Sequence, residues 1–258
     1  MRPGLLCLAP LQYVCLGSPI TLSPPRQPHV RFPSRVLAVF ATTSALTVSA
    51  AAQGAPAAAQ PQAPMTFFIT SAGKGDGANL GGVVGADAHC AALADATKSP
   101  LPAGRAWRAY LSATLPDGRP AHARDRIGAG PWHNAKGAMI AATVADLHGD
   151  ITRDRSQMNK LNALTEKGLA VNGAGDTPNM HDILTGSDSF GRLFPGTADV
   201  TCSNWTSNVA TGSAMVGHHD RTGGGNTSWN SAHPSRGCGQ SNLVATGGAG
   251  LFYCFAAN

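Results

Sequence analysis

Charge is sparse in this chain, and acid especially so. Charged residues make up 13% of the 258 residues, and Glu166 is the only glutamate. The formal net charge is +5, with a sequence pI near 9.1. Four of the 19 basic residues (Arg2, Arg26, Arg31 and Arg35) precede residue 53, where no acid occurs; the other 15 meet 14 acids. The part that folds is therefore close to neutral. No run of Lys or Arg follows, which argues against nucleic acid as a partner. No CxxC pair occurs, which argues against a zinc ribbon or a thioredoxin-like site. The apolar run at 36–48 is too short to span a bilayer as a stable helix. No internal repeat and no second low-complexity break interrupts residues 65–258.

What is present divides the chain into three. Arg31 and Arg35, the apolar stretch 36–48 and the small residues 49–52 read as a secretory signal within a leader of residues 1–52. Residues 53–64 (QGAPAAAQPQAP) form an Ala/Pro-rich linker, expected to be disordered. Residues 65–258 are long enough for one domain with its own core. Cys7 and Cys15 lie in the leader. Cys90, Cys202, Cys238 and Cys254 remain, an even number that fits two disulfides in an exported chain; the cysteine count leaves three pairings open.

Within the domain, residues 65–71 (MTFFITS) predict a strand. Residues 86–97 predict a helix carrying Cys90, with Pro100 beyond its end. Trp107, Ala109 and Leu111 alternate, which predicts a strand over 106–114. Residues 138–147 fit a short strand or a helix. The last third is rich in Gly, Ser, Thr and Asn and predicts long loops, until residues 251–256 (LFYCFA) give a terminal strand.

A cysteine on an early helix, Cys202-Ser203-Asn204-Trp205 in the loop-rich part, Trp229, Cys238 and a cysteine in the last strand form a recognisable pattern. Residues 123–132 (ARDRIGAGPW), 176–186 (DTPNMHDILTG), 217–221 (GHHDR), 228–233 (SWNSAH) and 247–255 (GGAGLFYCF) extend it. Together they resemble a bacterial exported lectin-like family with the C-type-lectin-like fold, related in fold to the endostatin part of collagens. The resemblance covers about residues 67–256. It implies an α+β fold: a mixed, mostly antiparallel sheet, one or two helices and long disulfide-pinned loops. It also implies Cys90 paired with Cys254, and Cys202 with Cys238. Each bridge closes a long loop, worth roughly 4–5 kcal/mol in the chain-entropy account.

The implied function is an extracytoplasmic binding module, periplasmic or secreted, for a carbohydrate or other cell-surface ligand, with no membrane span once the signal is cleaved. Sugar-binding members of the wider fold use Ca2+, held by a Glu-Pro-Asn or Gln-Pro-Asp tripeptide and a Trp-Asn-Asp. Neither tripeptide occurs here, and Trp229-Asn230-Ser231 lacks the acid. The expected ligand-binding residues are Asp220, Asn226, Asn230, His219 and His233 as polar contacts, with Trp229 as a stacking face. Weak metal candidates are Asp199, Asp220 and His218. Against these stands the ordinary use of Asp and Asn to cap turns, and of large aromatics as core. His218-His219-Asp220, with His233 and with His181-Asp182 upstream, offer imidazole and carboxylate groups suited to zinc; if this stretch is extended, only one of His218 and His219 shares a site with His233. Two rival readings are a metal-dependent enzyme and a structural envelope protein that binds a protein partner. A Ser213, His218 and Asp220 triad exists on paper, but no Gly-x-Ser-x-Gly turn surrounds the serine.

Overall fold

A computed structural model of the chain describes residues 62–148, 156–223 and 226–258. The expected signal at 1–52, most of the linker at 53–64 and Gly224 and Gly225 lie outside the described residues. The elements run β1 (Phe67–Ile69), α1 (Gly82–Ala96), β2 (Ala106–Ala109), β3 (Ala113–Thr114), β4 (Pro120–Ala121), α2 (Ala123–Arg126), β5 (Trp132–His133) and β6 (Met139–Ala141). They continue with α3 (Val144–Leu147), β7 (Asp182–Leu184), α4 (Cys202–Trp205), β8 (Met215–His218), β9 (His233–Pro234), α5 (Gln240–Thr246) and β10 (Gly248–Ala257). This is an α+β arrangement with few helices, mostly antiparallel sheets and two disulfides.

The terminal strand organises it. Successive side chains of a strand point to opposite faces, and β10 is apolar on both. Phe252, Cys254 and Ala256 enter one core with α1, while Leu251, Tyr253 and Phe255 enter a second core on the other face. A strand covered on both sides reads as a continuous apolar run, which is what residues 251–256 are. Cys254 sits between Phe68 of β1 and Ala109 of β2, both antiparallel to β10. Its earlier half pairs in parallel with β7. β8 then adds to β7, and β9 to β8, both antiparallel.

The helix α1 turns Ala86, Cys90 and Ala94 inward, four residues apart and therefore on one face. Small side chains let the helix lie close to the sheet, and Cys90 bonds Cys254 across that contact. α1 begins upstream of the predicted helix, at Gly82. The stretch 138–147 resolves into both alternatives in turn, β6 and then α3. α5 falls in the stretch expected to be loop: only Leu243 of its seven residues is buried, so no apolar period marks it.

The second bridge, Cys202–Cys238, holds an unusual turn. Cys202, Ser203, Asn204 and Trp205 have φ of 49°, 55°, 56° and 66°, a left-handed turn made without glycine. Such a conformation costs roughly 1–2 kcal/mol per residue. Around it, Trp205 donates its indole N–H to the carbonyl of Ser112 at 2.8 Å and the Asn204 side chain accepts from the amide of Thr114 at 2.7 Å. Both disulfides follow the pairing that the resemblance implied.

Replacing Cys202 and Cys238 together by alanine is expected to remove roughly 2–5 kcal/mol of stability, read as a lower urea midpoint. A larger loss is expected for the Cys90 and Cys254 pair, since its loop is longer (separation 164 against 36).

Candidate functional site

Loops at 188–195 and 226–231 face one another across a cleft of about 460 Å3. Phe190 and Phe194 bring exposed rings to it, 47% and 36% accessible, while Trp229 at the cleft wall is 3% accessible. Trp229 packs against Tyr110, His148 and Tyr253, with ring centroids 4.9, 5.7 and 5.3 Å away. The aromatic faces open to a ligand therefore belong to Phe190 and Phe194, not to the tryptophan that the sequence favoured. A glycine at position 217 makes the packing possible, because a Cβ there would overlap the Trp229 carbonyl.

Beneath the cleft runs a chain of hydrogen bonds. The Asn230 amide donates to Tyr110 Oη at 2.9 Å, and it also reaches the carbonyls of Asp188 and Ser189. Tyr110 Oη lies 2.7 Å from His148 Nε2, and His148 Nδ1 lies 2.9 Å from the Val144 carbonyl. A carbonyl only accepts, so Nδ1 carries the proton and Nε2 accepts from the tyrosine. Burial raises the Tyr110 hydroxyl well above its ordinary value and pushes the His148 imidazole down to about 4. Asn230 is 1% accessible and ties the two loops to the core. Asn226 is exposed and closes its own loop, donating to the carbonyls of Ser231 and Ala232.

The candidate carboxylates serve the backbone. Asp199 accepts from the amides of Thr201 and Ser203 and from the Thr201 hydroxyl. Burial opposes its ionisation, but those bonds outweigh it and hold the carboxyl low. Asp220 accepts from the Ala174 and Thr222 amides at 2.6 and 3.1 Å. Burial is again outweighed, and its carboxyl is held down at about 2. Glu166, the lone glutamate, is buried and accepts from the amide and hydroxyl of Ser71.

A second cluster lies at one end of the sheet. His218 closes β8, His233 opens β9, Asp182 opens β7 and His181 precedes it. His218 Nε2 and His233 Nε2 are 3.0 Å apart. Asp182 Oδ1 is 3.3, 3.2 and 3.6 Å from the Nε2 atoms of His181, His218 and His233. Alternation along the chain sends His219 the other way, to the Asn172 carbonyl at 3.1 Å; burial lowers its affinity for a proton. His218 thus faces Asp182 and His233 while Asp220 faces His181, so the triad drawn with Ser213 is not assembled. The sequence offered Asp182 and His181 only as zinc-ligand types upstream of this stretch. Their signal was the His-Asp dipeptide at the head of the apolar pair Ile183-Leu184, but nothing in it said which strand ends would meet.

No protein-family profile matches the chain, and no curated protein matches it. Among the described residues, no helix is long and apolar enough to cross a membrane.

The His148 site has a pH consequence. The unfolded chain binds a proton at histidine near pH 6.5, and folded His148 only near about 4. Its contribution is fully present above pH 6.5 and is lost as pH falls towards 4, by up to about 3 kcal/mol. Arg124, Asp188 and Asp125 act on it more weakly than burial does. His148→Gln is expected to be less stable than the parent at pH 7.5, yet to lose less between pH 7.5 and 5, measured as urea midpoints at both.

Proposed function

We propose that this chain is an extracytoplasmic binding module of the C-type-lectin-like kind, and that its ligand, a carbohydrate or related cell-surface ligand, lies in the cleft flanked by Phe190 and Phe194. One observation carries the reading. Two exposed aromatic rings stand beside serine, threonine and amide groups of residues 226–231, on loops held by a rigid hydrogen-bonded floor. Sugars present apolar C–H faces and a ring of hydroxyls, and a site of that mixed character meets both demands. The fold half of the proposal rests on the helix-to-last-strand bridge Cys90–Cys254, the loop-pinning bridge Cys202–Cys238 and the central position of β10. The two bridges also favour an oxidising, extracytoplasmic compartment.

Calcium is not the link in this reading. The carboxylates near the cleft serve the loop backbone instead: Asp188 Oδ1 accepts from the Phe190 and Arg192 amides at 2.9 and 2.8 Å, and Asp199 caps its own turn.

Residues 53–258 screened on a glycan array are expected to give reproducible hits whose strength is unchanged when millimolar Ca2+ is added to calcium-free buffer. Phe190→Ala and Phe194→Ala should each weaken those hits about tenfold, equivalent to about 1.4 kcal/mol, with the melting temperature held. Hits indifferent to both substitutions, or a blank array, would sink the reading.

A further inference from the structure

We infer that His181, Asp182, His218 and His233 form a zinc site that clamps the loop carrying one wall of the cleft. Three imidazole nitrogens and one carboxylate oxygen approach one another at the strand ends, with separations of 3.0, 3.2, 3.3 and 3.6 Å. A tetrahedral Zn2+ with nitrogen and oxygen ligands at about 2.0–2.2 Å sets its ligand atoms about 3.3–3.5 Å apart. These four separations are close to that spacing, and the ligand atoms of His181, Asp182 and His218 all lie within 4.8 Å of one another.

The hydrogen bonds at the far side of the rings point the same way. His233 Nδ1 lies 3.2 Å from the Pro234 carbonyl, which only accepts, so Nδ1 is the protonated nitrogen. His181 Nδ1 lies 3.4 Å from Asp220 Oδ1, a carboxylate that accepts two backbone amides and stays ionised. In a neutral ring this leaves Nε2 of each as a bare lone pair directed inward. A carboxylate behind a ligating histidine is the usual second partner that fixes the ring and raises its basicity.

Asp182 supplies the independent sign. Its side chain is 2% accessible, and neither of its oxygens receives a hydrogen bond. A buried carboxylate facing nitrogen lone pairs is costly unless a cation sits among them. His218 Nδ1 is likewise without a partner. Nitrogen-rich ligands exclude Ca2+ and Mg2+ as the natural occupant and favour a borderline ion such as Zn2+. Four protein ligands make a closed, structural set with no position left for a reacting water. His233, with 40% of its side chain accessible, provides the entry path.

The ligands explain the placement. His218 and His233 stand at the two ends of segment 219–232, which contributes Asn226, Ser228 and Trp229 to the cleft. An ion bound to both, and to the head of β7, closes that segment as a disulfide would. The zinc site stands whether or not the cleft takes a sugar.

The test uses the untagged chain, freed of metal by a chelator that is then removed, and titrated with ZnCl2 alone. One Zn2+ per chain is expected, with Co2+ giving the intense visible bands of a four-coordinate centre and Zn2+ bleaching them. Hydrogen exchange within 219–232 should slow on loading. His233→Ala, at an accessible position, should keep its fold and lose at least tenfold in zinc affinity, as should Asp182→Asn; His89→Ala, on α1, should change nothing. Absence of stoichiometric binding overturns the site. So does binding that His233→Ala leaves intact, because the ion would then lie elsewhere. Zinc loading without slower exchange in 219–232 overturns the clamp.

Discussion

Burial of β10 on both faces is the constraint from which the rest follows. A strand with apolar side chains up and down must be covered twice, so the chain lays α1 on the side of Phe252 and Cys254 and a second aromatic core on the side of Tyr253 and Phe255. The covalent bond from Cys254 to Cys90 fixes the first cover. The second cover has no such bond. It depends on interlocking rings: Tyr253 meets Phe67, Tyr110 and Trp229, and its hydroxyl donates to the Trp229 carbonyl at 2.8 Å. The wall of the cleft is thus an outgrowth of the core, which is why Trp229 is packed.

The loops beyond this core have little apolar content, and glycine-rich chain is costly to order. Three devices hold them. The Cys202–Cys238 bridge stabilises a left-handed turn that four non-glycine residues would otherwise avoid. Asp and Asn side chains at 188, 199, 220 and 226 take up loop amides or carbonyls. Buried Asn230 joins the two loops of the cleft through Tyr110, Asp188 and Ser189. In such a setting an amide or carboxylate that looks ligand-like from its type is more valuable as scaffold.

That difference explains how much was legible in the sequence. The terminal strand and the Cys90 helix were readable because their patterns are local: an unbroken apolar run for β10, and for α1 a small apolar face of Ala88, Cys90, Ala91, Leu93 and Ala94 with Pro100 beyond its end, although the residues it buries are Ala86, Cys90 and Ala94. α5 was not, since one buried leucine makes no pattern. The expected ligand-binding residues all lie in 219–233, and their roles were assigned by residue type. Burial of Trp229 and the rotation of His219 towards Asn172 are set by long-range packing. His181 and Asp182 lie 37 and 36 positions before His218, and only the antiparallel register of β7 on β8, which sets Asp182 opposite His218, brings them together.

The same register shows why the histidine cluster and the cleft belong to one design. β8 leads into the cleft loop and β9 receives it, with Val216 opposite His233. Two residue pairs of ladder join β8 to β9, and the His218 amide continues the contact by donating to the Ser228 carbonyl at 2.9 Å. Where the ladder stops, His218 and His233 meet at 3.0 Å beside Asp182. Gly223 then lies over the cluster, where an added Cβ would come within 3.2 Å of the His218 ring. A side chain at that position would press on the ring from above, so the loop's glycine and the histidines beneath it constrain one another.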